Sequence, residues 1–178
     1  MPKRGGVTAA VLARPLRALL ALVAVVACTA QQPAGSSAAW CTKLPFPKAC
    51  RAYEIKAGNT ILRLAVAATE AQRERGLMNV SYVPSGQGMI FAFPGGDEER
   101  YFWMKDTITP LDMVFVKSDG TISAIAVNVP ATKPKTPDDK VARRDGLGKY
   151  VIELGAGDAA RIGLLPGMQL YVQPVEAQ

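Results

Sequence analysis

The chain has 178 residues, 49% of them hydrophobic, with 21 Lys and Arg against 15 Asp and Glu and no histidine. The lack of histidine excludes Ser-His-Asp and Cys-His catalysis within this chain, and any His-containing zinc site. Four basic residues and no acid precede Cys28, which leaves 17 basic against 15 acidic groups, a net charge of +2. That balance gives no footprint for nucleic acid.

Lys3, Arg4, Arg14 and Arg17 make the N-terminus positive, and "ALLALVAVVACTA" (Ala18 to Ala30) follows without a charge. This run falls short of the roughly 20 residues a bilayer helix needs, but it suits the apolar region of a secretory signal. Residues 1–27 are therefore read as a signal peptide and the protein as exported to a bacterial cell envelope. "VVAC" (Val25 to Cys28) resembles a lipobox, whose cysteine is lipidated and becomes the mature N-terminus. This assigns Cys28 to a lipid anchor and makes a membrane the first expected partner. The alternative is cleavage after Ala30 or Ala39, which discards Cys28 and leaves a soluble periplasmic protein.

Residues 28–39, with "QQPAGSSAA", read as a flexible tether spanning about 18 Å. Cys41 and Cys50 then bracket Pro45 and Pro47 in a rigid loop. An even pair suits a structural disulfide in an oxidising compartment, contributing roughly 2–3 kcal/mol. A redox-active pair is the alternative, although the spacing is unlike Cys-x-x-Cys.

From there on the pattern predicts short strands. "TILRLAVA" (Thr60 to Ala67) alternates, and "TEAQRERG" is a helix with Thr69 as N-cap, Gln72 completing a capping box and Gly76 ending it. "GMIFAF" (Gly88 to Phe93) and "RYFWM" (Arg100 to Met104) are strands separated by the hairpin-like "PGGDEE". "LDMVFVK" and "TISAIAVNV" flank "SDG" (Ser118 to Gly120), the strongest hairpin signal. After an irregular stretch from Pro130 to Gly148 come a strand at "KYVIEL", a short helix at "GDAARIG" and a last strand at "MQLYV" (Met168 to Val172). About seven strands and two short helices, in one domain over residues 40–178, predict a mainly β fold, either a β-sandwich or a partly open barrel.

"RGLM" (Arg75 to Met78), "GMIFAF", "FWMKDTITPLDMVFV", "DGTI" and "YVIELGAGDAARIGLLPG" together resemble the exported domain-of-unknown-function family 192. The resemblance runs from about Leu62 to Val172. It implies a compact, mainly β, jelly-roll-like fold behind a signal peptide, and no established activity. Asp106 stands where that pattern has asparagine, and Met168 where it often has aspartate after Pro-Gly.

Candidate sites centre on Tyr101 to Phe115. Alternation puts Tyr101, Trp103 and Lys105 on one face and Phe102 and Met104 on the other. A Trp–Tyr face ending in a cation could stack a sugar ring; alternatively Trp103 fills the core and Lys105 snorkels from the strand end. Asp112 begins a strand that is apolar on both faces, so its carboxylate must be paired or hydrogen-bonded. Lys105 is one partner for it, and backbone N–H groups near Pro110 are another. Tyr101, Trp103, Lys105 and Asp112 form the ligand-binding set, with Asp106 and Asp112 as the alternative catalytic acid/base pair. The loop from Ala131 to Asp145 carries Lys133, Lys135, Lys140, Arg143 and Arg144 against three aspartates, as either a solvated segment or a contact for anionic glycan or lipid. Met78, Met89, Met104 and Met113 fit core packing better than a Cu(I) site. No cofactor fingerprint or metal set is read. The sequence points to a non-catalytic envelope domain that binds a glycan, another ligand or a protein partner, with a carboxylate-dependent hydrolase of envelope polymer as the alternative.

Overall fold

The computed structural model describes residues 52–175, together with Met1. Cys28, Cys41, Cys50, the signal segment and the tether lie outside these described residues. Eight strands form two sheets. They are β1 (Ala52–Ala57), β2 (Thr60–Ala67), β3 (Gln87–Ala92), β4 (Glu98–Trp103), β5 (Leu111–Val116), β6 (Ile122–Val129), β7 (Arg143–Gly148) and β8 (Tyr150–Gly155). Two short helices, α1 (Glu70–Arg75) and α2 (Asp158–Ile162), lie where the pattern predicts them, with a 3-10 turn at Asp138–Lys140. The capping box at α1 is formed: Thr69 accepts from the Gln72 N–H, and the Gln72 side chain accepts from the Thr69 N–H.

The large sheet runs in the order β1-β2-β3-β8-β5-β6, and β4-β7 form a separate two-stranded sheet. β2 and β3 are parallel, so the chain between them must cross over and return to the same end. That crossover carries α1. The inner strands β3, β8 and β5 are buried almost throughout, on both faces, as their predominantly apolar sequences require. Leu62, Leu64, Ile90, Val114, Ile152 and Leu154 build one core, covered by α2 and by Leu164, Leu170 and Val175. Met89, Phe91, Met113, Phe115 and Val151 build the other, covered by the turn after α1 and by Phe102 of β4. The small sheet therefore lies over one face of the large one. The arrangement is sandwich-like and does not close into a barrel.

Four departures from the sequence reading have physical causes. β1 pairs with β2 across a tight turn at Gly58, with Ile55 and Ala57 inward, and extends the sheet beyond the seven strands expected. β7 shows no apolar alternation because its inward positions are glycines. A Cβ on Gly146 would stand 2.5 Å from the Phe115 ring, and one on Gly148 would stand 2.7 Å from the Val116 carbonyl. Met168–Val172, expected as a strand, makes only an isolated bridge between Thr121 and Gln169. Its place is set instead by hydrogen bonds of Leu170 and Ile122 with the Gly120 and Met168 carbonyls. The "PGGDEE" segment is also not a hairpin, since β4 pairs with β7 and the loop carries the chain between sheets.

Candidate functional site

A cleft of about 210 Å³ opens on the face that carries the small sheet. Three parts of the chain shape it. The crossover supplies Arg73 to Met78, from α1 and the turn that follows. β4 and its exit supply Tyr101, Phe102, Trp103, Lys105 and Thr107. The large sheet supplies Phe91 and Glu153 as the floor, with Phe93 beside them. Phe102 packs edge-on against Phe91 and Phe93, with ring centroids 4.9 and 6.1 Å apart. Gly76 (φ 45°) lets the crossover turn directly above Phe91, where a Cβ would come within 3.2 Å of the ring.

Glu153 is the unusual member. It lies in mid-strand on β8, in register with Met89 of β3 and Met113 of β5. Only 5% of it is exposed, and its Oε2 has no hydrogen-bond partner among the described residues. Burial among apolar groups disfavours the charged form, and its pKa is pushed up to about 8. At neutral pH this carboxyl mostly keeps its proton.

The rim is basic, but two of its cations are already engaged. Arg73 donates from Nη1 to the Ala68 and Ala92 carbonyls and lies 5.4 Å from the Phe93 ring centroid. Lys105 pairs with Asp138 and sits 5.4 Å from the Trp103 ring centroid, a ring that Arg143 also approaches. Arg75 is exposed on the last turn of α1, with no ion pair among the described residues.

The structure brings Tyr101, Trp103 and Lys105 to this cleft and places Asp112 elsewhere. Tyr101 is largely exposed and Trp103 is 42% exposed, so Phe102, rather than Trp103, is the ring that enters the core. Asp112 shares the opposite face of the large sheet with Val114 and Val116. Fully buried, it accepts from the Asn128 N–H at 2.8 Å and the Ala159 N–H at 2.9 Å. Its two oxygens thus hold the β5–β6 irregularity and the start of α2, while Lys105 pairs with Asp138 instead. Asp106 is an exposed turn residue at φ 50° whose carbonyl accepts from the Asn79 N–H. Neither aspartate lines the cleft. Among the described residues no group of three or more Cys, Asp and Glu is placed to hold a metal, and no helix is long and apolar enough to cross a membrane. Met89, Met104 and Met113 are core residues and Met78 lines the cleft.

A family model, DUF192, described as an uncharacterized ACR, matches residues 53–172. The chain belongs to this family. Two solved structures are also similar to it. One is a protein proposed to be a transcription regulator from Sinorhizobium meliloti 1021, 33% identical, with a TM-score of 0.56, covering 66% of this chain and 88% of that one. The other is a protein of unknown function from Novosphingobium aromaticivorans DSM 12444, 26% identical, with a TM-score of 0.54, covering 69% and 85%. No curated protein matches.

Several of the segments that carry the DUF192 resemblance meet at the cleft. "RGLM" forms one lip, "FWMK" the other, and "YVIEL" places Glu153 on the floor. Asp106 adopts a left-handed backbone conformation, one that asparagine also tolerates well. Glu153, Arg73 and Arg75 were not singled out from sequence. For Glu153 a signal existed: one acid inside an otherwise apolar strand.

Proposed function

We propose that this DUF192 protein is a non-catalytic binding domain of a bacterial cell envelope, tethered by a lipid on Cys28, with the Glu153 cleft as its ligand site. The N-terminal pattern supports the location. The observation that carries the binding reading is the Glu153 carboxyl, buried at the base of an aromatic-walled cleft with one oxygen unpartnered. Leaving such an atom unmatched costs about 1–3 kcal/mol. A ligand that meets it recovers that penalty.

A second reading has one observation in its favour. A glutamate that holds its proton at neutral pH is suited to general-acid chemistry, as in hydrolytic sites. The near-neutral charge of the mature chain gives no support to carrying over the regulator role suggested for the Sinorhizobium protein.

A thermal-shift screen of the full chain against peptidoglycan fragments, glycans and small metabolites tests the binding reading. A ligand at 100 times its Kd adds about 2.7 kcal/mol of stability, and the shift should vanish in Phe102→Ala. A Glu153-dependent release of product from any hit would favour the enzyme instead. No shift with any compound would remove the cleft from consideration. In cell fractionation, Cys28→Ala should move the protein from membrane to soluble fraction, and unchanged partitioning refutes the anchor.

A further inference from the structure

Taking the cleft as a binding site, we infer the class of its ligand: a small zwitterion, of amino-acid size, with its ammonium group against the Glu153 carboxyl and its anionic end at Arg75 on the rim. One observation and two chemical arguments converge on this class. The floor offers one buried carboxyl with an unpartnered oxygen and otherwise apolar or aromatic surface. A carboxyl in a cleft that also has aromatic lining favours a cation, through ring quadrupoles and charge together. A sugar would bring several hydroxyls, each needing a partner that this floor does not provide.

The rim decides between a plain amine and a zwitterion. Arg73, Arg75 and Lys105 stand at the mouth of the cleft with Glu74, while Glu153 lies on its floor. Arg73 is committed to two carbonyls and Lys105 to Asp138, which leaves Arg75 as the cation ready for an incoming anionic group. The volume of about 210 Å³ lies below the roughly 300–1,000 Å³ of drug-sized sites. It suits a molecule with one ring or a short aliphatic side chain.

Binding is then linked to a proton. The protonated Glu153 carboxyl loses its proton to solvent as the ammonium arrives, and a carboxylate–ammonium pair forms; no covalent bond changes. The groups that face Glu153 are Met89 from β3 and Met113 from β5, which do not titrate, with Arg73, Glu74 and Arg75 from the crossover and Lys105 from the exit of β4. Glu153 is the one held near neutrality, because burial raises it to about 8. Affinity for an amine should therefore climb about tenfold per pH unit from 6 to 7 and level off above 8.

Calorimetric titration of the full chain with four probes tests the class: phenylalanine, phenethylamine (no carboxylate), 3-phenylpropanoate (no amine) and benzyl alcohol (neither). Phenylalanine should bind best, and phenethylamine at least tenfold better than 3-phenylpropanoate at pH 8. Glu153→Gln should abolish both the amine preference and the pH dependence. Arg75→Gln, an exposed change that leaves the fold alone, should remove the advantage of phenylalanine over phenethylamine. Equal or tighter binding of 3-phenylpropanoate or benzyl alcohol, lost in Phe102→Ala, would overturn the zwitterion and leave the binding domain standing. Failure of all four probes also overturns the zwitterion, while the wider screen decides separately whether the cleft binds anything. Unchanged amine affinity in Glu153→Gln would refute the role given to the carboxyl.

Discussion

Glu153→Gln should make the protein more stable, and more so as pH rises. In the unfolded chain this carboxyl has its ordinary pKa of 4.5; in the fold it is raised to about 8. The direction follows from linkage. Below 4.5 both states are protonated and burial of the group carries no ionisation penalty. Between 4.5 and 8 the unfolded chain gives up the proton and the folded one keeps it, so stability falls by about 1.4 kcal/mol per pH unit. Above 8 the full difference, about 5 kcal/mol, is lost. That is a ceiling, because the cleft admits water to the carboxyl. It is still large beside the 5–15 kcal/mol that holds a typical domain folded. Urea unfolding of the full chain at pH 5, 6, 7 and 8 measures it. The wild type should lose about 4 kcal/mol over this range beyond whatever the variant loses. Parallel pH profiles would refute the reasoning and show that Glu153 is hydrated as well in the fold as outside it.

Two further substitutions probe the scaffold. Asp112→Asn replaces an acceptor of two backbone N–H groups with one that presents an NH₂ to one of them, and should cost about 1–3 kcal/mol in denaturant unfolding. Ligand affinity at the cleft should hold, since Asp112 lies on the other face, and lost affinity in a folded variant would contradict that placement. Gly146→Ala drives a methyl into the Phe115 ring and should cost about 1–3 kcal/mol by overpacking; a melting temperature equal to the wild type would show that β7 is free to shift.

The large sheet was legible in the sequence because its inner strands are buried on both faces and read as predominantly apolar runs. The helices were legible from their ends: Thr69 and Gln72 at α1, and a glycine on either side of α2. β7 was not, since a strand whose inward positions are glycines leaves no periodic trace, and the packing of Phe115 that demands those glycines is a contact distant in sequence. The same limit applied to the cleft. Tyr101, Trp103 and Lys105 were found because unusual residues cluster within one segment. Glu153 needed the register of three strands to show that it faces them rather than solvent. Asp112, conspicuous for the same reason as Glu153, proved to have both oxygens occupied. An acid in an apolar strand flags a special position, but only its partners separate a structural acid from an available one.

The parallel pairing of β2 and β3 has a consequence for how the protein folds. One lip of the cleft belongs to the crossover between them, the other to a strand that pairs with β7, and the floor to β8, which pairs with β3 from far along the chain. No local hairpin contains the site. Each of its walls depends on a pairing that closes a long loop, the slow kind of step in folding. Partly folded chains should therefore contain helix α1 and the β5–β6 hairpin without any cleft, and capacity to bind should appear only with the last cooperative event. A ligand for this site would then act as a reporter of completed folding, distinguishing finished molecules from those still folding.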